Sequence, residues 1–525
     1  MLRDVSGSPE HESFDEMNVT VFLEMAADTF PDRPALICGD ERYTYGALRE
    51  AARAMALRIR RAGVAHVSLV DVNSPATAIA LFAAAYAGVP YVPLNYRLTR
   101  AELNDLVRRI TPACIIVNPE SRSQIEERED VQLVSREEVL RKPVPRDGEP
   151  LAAPEDPETI AVMLFTSGTT GKPKAAVLRH RNLTAYILGT VEFASAEEDE
   201  AALVAVPPYH IAGVSAILSS VYACRRIVQM PSFDAAEWLR LCRRERITSA
   251  FLVPTMLQRI VAFIDAGEAT ADLPALRALA YGGGKMPLAT IQRAMELFPH
   301  VDFTNAYGLT ETSSTITLLS PEDHRQAARS DDPYVRRRLG SVGRSTGAVQ
   351  IQIRGPQGEP LGPDQPGEVY VRGPQVAGEY RQYGNQLDSD GWFATRDRGW
   401  LDRDGYLFLE GRADDIIVRG GENISPGEVE EVLLSHPDVT DAAVVAMPDE
   451  QWGEAVAAAV VLREGAQATA EELQALVRAR LRSSRVPQAI VFKDRLPYNE
   501  MGKLMRRVIR DEFFRAAQPA VREGA

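Results

Sequence analysis

The sequence has only four cysteines, Cys38, Cys114, Cys224 and Cys242, in 525 residues. They are scattered, with no C-x-x-C pair, so neither a disulfide framework nor a zinc site is suggested, and a reducing cytoplasm fits best. Positive charge is scarce too: 59 Lys and Arg face 73 Asp and Glu, a net charge of -14. A nucleic-acid binder needs a basic footprint to displace counterions, which argues against that class. Any polyanionic ligand must then meet local basic patches. Long hydrophobic runs are few. The longest uncharged stretch, TAIALFAAAYAGVPYVPL from Thr77, carries Gly88, Pro90 and Pro93 and reads as a buried helix passing into a strand, not as a membrane span. The first residues, MLRDVSGSPEHESFDEM, hold acids where an export signal needs an apolar core.

What is present is enough chain for large cores and more than one domain. From about Val19 to Val117, amphipathic helix (LREAARAMALRIRRAG) alternates with apolar strand (VSLVDV, YVPL, CIIVN), the pattern of α/β layering. Residues 119–157 are rich in Glu, Arg and Pro and read as a surface excursion with little core. The α/β alternation resumes through RIVQM, ITSAFLVP and LRALAYGGG, and the polar segment from Ser320 reads as exposed connection. From Gly347, short alternating strands (AVQIQIRG, GEVYVRG, GYLFLEG) separated by turn-rich stretches indicate a β-rich subdomain. Beyond Arg412 lies a smaller α+β unit, so the expected division is 1–411 and 412–525. In it, Ser425, Pro426 and Glu428 have the spacing of a capping box with Pro at the first helical position.

One loop asks for a ligand. FTSGTTGKPKAAV, Phe165 to Val177, follows the apolar run TIAVMLF, which reads as a buried strand. Gly168 and Gly171 let the backbone turn its N-H groups toward one point, Thr166, Ser167, Thr169 and Thr170 add hydroxyl donors, and Lys172 and Lys174 add charge. Such a loop is built to hold phosphate. It is not a P-loop, because Thr166 stands where a glycine is needed and Pro173 follows Lys172. No H-E-x-x-H or kinase signature is present.

Six more hydroxyl- and charge-bearing clusters follow in order: PPYHIAG from Pro207, YGGGKMP from Tyr281, NAYGLTETSS from Asn305, WFATRDRGW from Trp392, GRADDIIVRGGENI from Gly411 and LPYNEMGKLMRR from Leu496. Taken together with the loop, this ordered set resembles the adenylate-forming superfamily of acyl-CoA and aryl-CoA synthetases, non-ribosomal adenylation domains and beetle luciferases. The resemblance spans about Val19 to Arg507.

It implies roles residue by residue. The loop Thr166 to Lys174 would close over the β- and γ-phosphates of ATP. Glu311 would be the Mg²⁺-associated carboxylate and Thr310 a hydroxyl donor to the α-phosphate, with one acid enough because Mg²⁺ is satisfied largely by phosphate oxygens. Gly282, Gly283, Gly284, Asn305 and Tyr307 would form the adenine slot. Asp397 would bind the ribose hydroxyls, in a T-R-D where the family usually has T-G-D, Arg396 replacing the glycine. Arg412 would contact ribose and phosphate, Asp414 would be the hinge, and Lys503 would reach the reacting carboxylate and phosphate. His210 would gate the acyl pocket, with Tyr281 and Phe251 as candidate walls.

The activity implied is an ATP-dependent acid:CoA ligase: adenylation of a carboxylate with release of pyrophosphate, then thioester formation with coenzyme A. For the second step the small unit would swing about Asp414 and present Gly420, Gly421 and Glu422 to the thiol, with Arg419 or Arg485 near the CoA phosphates. The PPYHIAG region offers no aspartate for an α-ammonium group, which disfavours amino acids. Two rivals stand beside this activity: an acyl-AMP ligase that loads a carrier-protein pantetheine, and a non-catalytic adenylate-binding homologue.

Overall fold

The computed structural model describes residues 17–141, 156–166, 173–498 and 504–517. Its largest layer is a nine-stranded sheet whose inner strands run parallel, in the spatial order Pro34–Cys38, Arg226–Gln229, Ala201–Val204, Ser249–Leu252, Ala278–Gly282 and Asp302–Leu309. Antiparallel strands close it, Glu41–Thr44 at one edge and Ser314–Leu319 with Arg344–Ser345 at the other. Parallel strands need helical crossovers, and the helices supplied are amphipathic. Tyr45–Ala62 starts where the Thr44 side chain accepts from Ala47 N and stops at Gly63, whose φ of 62° suits a glycine. It buries Leu48, Ala52, Met55 and Ile59.

The alanine-rich helix Pro75–Ala87 is buried all round, which explains its lack of charge without a membrane. No described helix is long and apolar enough to cross one. The expected strand after it reduces to Tyr91, which bridges Val67 and Val162 singly. Backbone bonds continue on one side, Val92 N to Val67 O at 2.7 Å and Leu94 N to Leu69 O at 2.9 Å, while Pro90 and Pro93 have no N-H to donate.

Through Tyr91 three parallel strands (His66–Val70, Ala113–Val117, Val131–Ser135) adjoin an antiparallel set (Ile160–Thr166, Lys174–Arg179, Glu379–Tyr380, Gly384–Asn385). Residues 119–157 are therefore more than an excursion: Val131–Ser135 adds a strand, and Val134 and Val139 are buried. The segment from Ser320 is likewise corrected. It forms the helix Pro321–Arg329, with Asp323 accepting from the Tyr406 hydroxyl at 2.5 Å and His324 bonded to the Tyr281 hydroxyl at 2.9 Å. Polar residues there face buried polar partners, which composition does not reveal.

The β-rich subdomain is a four-stranded antiparallel sheet of Gln350–Arg354, Gly367–Arg372, Phe393–Leu401 and Leu407–Arg412. Beyond it, five strands and the helices Pro426–Leu434, Ala470–Arg480 and Arg506–Ala517 enclose a separate core that includes Ile417, Val444, Val456 and Leu473. This is the expected α/β body with a smaller α+β unit. The Ser425 capping box does not form: Ser425 Oγ donates to Glu410 O at 2.6 Å, and Glu428 pairs with Arg485 at 3.0 Å. Both side chains are used to fasten neighbouring segments.

Candidate active site

A cavity of about 1810 Å³ opens over the C-terminal ends of the inner strands and joins all four layers. Of the residues singled out from the sequence, Thr166, Lys174, His210, Gly283, Thr310, Glu311, Arg412 and Asp414 line it. Ser167, Gly168, Thr169, Thr170, Gly171, Lys172 and Lys503 lie outside the described residues.

The loop leaves strand Ile160–Thr166 and returns as Lys174–Arg179, antiparallel, so both its ends are fixed. Lys174 Nζ lies 5.1 Å from the Tyr383 ring and 5.6 Å from that of Tyr380, a cation held by two aromatic faces. Next to them, Glu311 sits in the 3-10 turn Thr310–Thr312, buried, with its Oε1 accepting from the Tyr380 hydroxyl at 2.6 Å. Burial first, and the Glu311 charge second, raise the Tyr380 phenol far above its usual pKa, so it stays a donor. The backbone before the turn must be bare: a Cβ on Gly308 would stand 1.8 Å from Ser314 O. Among the described residues no three His, Cys, Asp or Glu cluster as a metal site. One oriented carboxylate beside a hydroxyl fits a hard cation that takes its remaining oxygens from phosphate and water.

On the other side, Asp397 is buried and doubly held, accepting from the Tyr307 hydroxyl at 2.6 Å and facing Arg412 Nε at 3.2 Å. Arg412 Nη1 also donates to Thr395 O at 2.9 Å. Tyr307 thus has its hydroxyl committed to Asp397, and Asn305 Nδ2 turns to Ser341 O at 3.0 Å, so neither lines the cavity. The glycines are explained by contact. A Cβ on Gly282 would meet Ala306 O at 2.1 Å, while Gly283 adopts φ 80° at the rim. The T-R-D stretch lies within strand Phe393–Leu401, with Arg396 at φ 61°.

His210 precedes the helix Ile211–Tyr222, and burial pushes its imidazole down to about 3. It is therefore neutral at working pH, with its ring centroid 4.6 Å from that of Tyr209. Below it the cavity runs along the helix. One wall is Ile211, Ala212, Ser215, Ala216 and Ser219, the facing side of successive turns. The other is the sheet, in cross-strand rows Ser249–Ala278 and Phe251–Ala280–Thr304. Tyr281 is buried beneath, bonded to His324, and does not line the space. Ser215 donates to Ile211 O at 2.9 Å and lies 3.2 Å from Ser314 Oγ across the cavity wall, while Ser219 donates to Ala216 O at 3.4 Å. At the far end Arg225 pairs with Glu200 at 3.1 Å.

The C-terminal unit reaches the same cavity with Tyr498, Leu504 and Arg506. Arg506 is tied to Glu430 and stands 3.6 Å from Asp415, next to the exposed Asp414 in the turn Ala413–Asp415. Gly420 and Gly421 make the tight turn of a hairpin, at φ 57° and 84°, and with Glu422 lie away from the cavity wall. Arg485 is already committed to Glu422 and Glu428, and Arg419 donates to Ser484 O at 2.9 Å. That removes Arg485 as an open cation for CoA phosphate. Tyr380 and Arg506 are the side chains that sequence reading missed. Only Arg506 carried a hint, in the basic run after Lys503. The stretch GRSTG, Gly343 to Gly347, has the spacing of a hydrolase nucleophile turn, but Ser345 donates to Val349 O on a two-residue edge strand and no helix follows.

The AMP-binding enzyme family matches residues 23–381, and the AMP-binding enzyme C-terminal domain matches residues 428–503. A feruloyl-CoA synthase of Amycolatopsis is 33% identical over 494 residues, covering 92% of this chain and 96% of that one. A fatty acid-[acyl-carrier-protein] ligase of Streptomyces coeruleorubidus is 30% identical over 499 residues, 92% and 94% of the two chains. Among solved structures, the o-succinylbenzoate CoA synthetase of Bacillus subtilis with its acyl-adenylate intermediate superimposes with a TM-score of 0.78 at 29% identity, covering 93% and 98%.

Proposed function

The chain belongs to the AMP-binding enzyme family, and from that premise we propose that it is an acid:CoA ligase that activates a carboxylic acid with MgATP and passes the acyl group to coenzyme A. One observation carries this: a single cavity is lined by Lys174, by the oriented acid Glu311 and by Arg412, which pairs with Asp397, and continues as a cleft along the helix after His210. Support also comes from relatives named as CoA ligases over nearly the full chain.

In the first step a carboxylate oxygen attacks the α-phosphorus of ATP, the bond to the bridging oxygen breaks, and pyrophosphate leaves. Thr310 donates to the α-phosphate, Asp397 and Arg412 hold the ribose end, and Lys174 with the loop Thr166–Lys172 neutralises the outer phosphates. Lys503 is assigned to offset the repulsion between carboxylate and phosphate. Mg²⁺ bound at Glu311 would supply charge neutralisation on the phosphates. In the second step the thiolate attacks the acyl carbon and AMP leaves. For this the unit from residue 412 rotates about Asp414, bringing the hairpin of Gly420, Gly421 and Glu422 to the thiol.

The acid end is narrow and long. The 12-residue helix beside it spans about 18 Å at 1.5 Å per residue, and its wall is of small, uncharged side chains. Arg225 at its far end is paired with Glu200, so among the described residues a second carboxylate on the substrate finds no open cation there. These features support an extended acid with an uncharged tail, aryl or aliphatic. The test is acid-dependent ATP-pyrophosphate exchange over a panel of aryl, fatty and polycyclic acids, followed by thioester formation with CoA or a carrier-protein pantetheine. Exchange with no acid of any class would refute the ligase assignment; transfer to the carrier alone would make it a carrier-loading ligase, the activity named for one relative.

A further inference from the structure

We propose that Arg396 is a phosphate-binding residue of this cleft, gripping the outer phosphates of ATP and the pyrophosphate released from them; this rests on the ligase function proposed above. Arg396 lies in strand Phe393–Leu401 at φ 61°, a left-handed conformation that glycine adopts freely and a Cβ disfavours. The strand is locked on both sides of it. Thr395 Oγ1 donates to Val369 O at 2.7 Å and accepts from Asp397 N at 3.1 Å, and Asp397 is held by Tyr307 and Arg412. The pairing register slips between Glu368 and Tyr370 opposite, and such an irregularity re-aims the side chain on the bulged strand. A strained residue kept at the rim of a binding cavity points to a function for its side chain.

The charge of Arg396 is unspent. Its neighbours are paired, Arg398 with Glu410 at 2.9 Å and Arg412 with Asp397 at 3.2 Å. Arg396 itself is exposed to the cavity and makes no ion pair or hydrogen bond among the described residues. It shares the cavity wall with Lys174, Thr310, Glu311, Tyr380 and Arg412, the groups assigned above to the nucleotide. Lys174 Nζ packs 5.6 Å from the Tyr380 ring. Lys174 and Arg396 are thus cations of one cavity that also holds the buried Glu311. A net charge of -14 repels polyphosphate overall, so local cations must capture it. A guanidinium presents a planar fork of donors that matches phosphate oxygens two at a time.

The test uses Arg396→Gly, Arg396→Asn and Arg396→Lys in the full chain. Calorimetry without acid gives the MgATP and AMP dissociation constants, and exchange assays give inhibition by inorganic pyrophosphate. Arg396→Gly and Arg396→Asn should weaken MgATP and pyrophosphate about tenfold or more, the loss of a charge-assisted contact, with AMP changed less than about twofold. Arg396→Lys should recover part of the loss, and Arg396→Gly should melt at a higher temperature than wild type because the backbone strain is gone. Unchanged MgATP and pyrophosphate binding in the Gly and Asn variants overturns the proposal, and so does an equal loss for AMP, which would place the effect at the ribose. Wild-type protein that binds no MgATP at all would instead overturn the ligase function beneath it.

Discussion

Tyr380 reaches across 69 residues of sequence to donate its hydroxyl to Glu311 Oε1 at 2.6 Å, and the backbone just before it closes the same contact: Ala377 N and Gly378 N donate to Glu311 O at 2.9 and 3.1 Å. The antiparallel pair Glu379–Tyr380 with Ala176–Val177 thereby fastens the phosphate-loop sheet to the acid. Tyr380→Phe should leave the fold intact and raise the Mg²⁺ concentration needed for half-maximal pyrophosphate exchange by about tenfold, the scale for partners that orient a metal ligand. Glu311→Gln should be more severe, losing exchange while circular dichroism stays native. Wild-type exchange in folded Glu311→Gln would end its assignment.

Asp414 sits exposed in the turn between the last strand of the β-rich sheet and the C-terminal unit. Asp414→Pro fixes one φ at a residue proposed to change its dihedrals. Thioester formation should slow at least about tenfold more than adenylation, read by separate half-reaction assays. Equal slowing of both steps would move the pivot elsewhere.

Lys503→Ala should abolish adenylation yet still convert a supplied acyl-adenylate to thioester. Both residues that bracket the loop, Tyr498 and Leu504, line the cavity and bridge to one another, so the unit that carries Lys503 is at hand for the first step. A single electrostatic donor is worth roughly 3 kcal/mol in such a cleft, or about two orders of magnitude in rate. Synthetic acyl-adenylate with CoA separates the steps; equal failure in both, with the variant folded, would refute alternation.

His210 gives a pH prediction with a defined sign. Its pKa is about 6.5 when unfolded and about 3 when folded, so between those values the unfolded chain binds more protons. The stability from a neutral His210 is complete above pH 6.5 and is lost as pH falls, by about 1.4 kcal/mol per unit. His210→Gln should therefore flatten the fall in melting temperature between pH 6.5 and 4.5. It should lower exchange rates without altering the shape of their pH profile above pH 6, because an imidazole neutral throughout that range contributes no inflection there. A new inflection or an unchanged slope would each count against burial as the cause.

Local chemistry was enough for much of this protein. Helix periodicity with its caps, as at Thr44 and Gly63, set the α/β layers, because those signals act within one turn of chain. The glycines at Gly282 and Gly283 and the acid in NAYGLTE were legible for the same reason: bare backbone and carboxylates advertise themselves by type and spacing. Tertiary structure decided whatever depended on partners far along the chain. Ser425 had the spacing of a cap but a better acceptor at Glu410 O, and Arg485 looked available until Glu422 and Glu428 were folded against it. Tyr307 was singled out for a place in the adenine slot, and the structure adds that its hydroxyl is fixed on Asp397, 90 residues away. Hydrogen bonds and ion pairs are short-ranged, so sequence can present the groups, but only the packed sheets determine which of them meet.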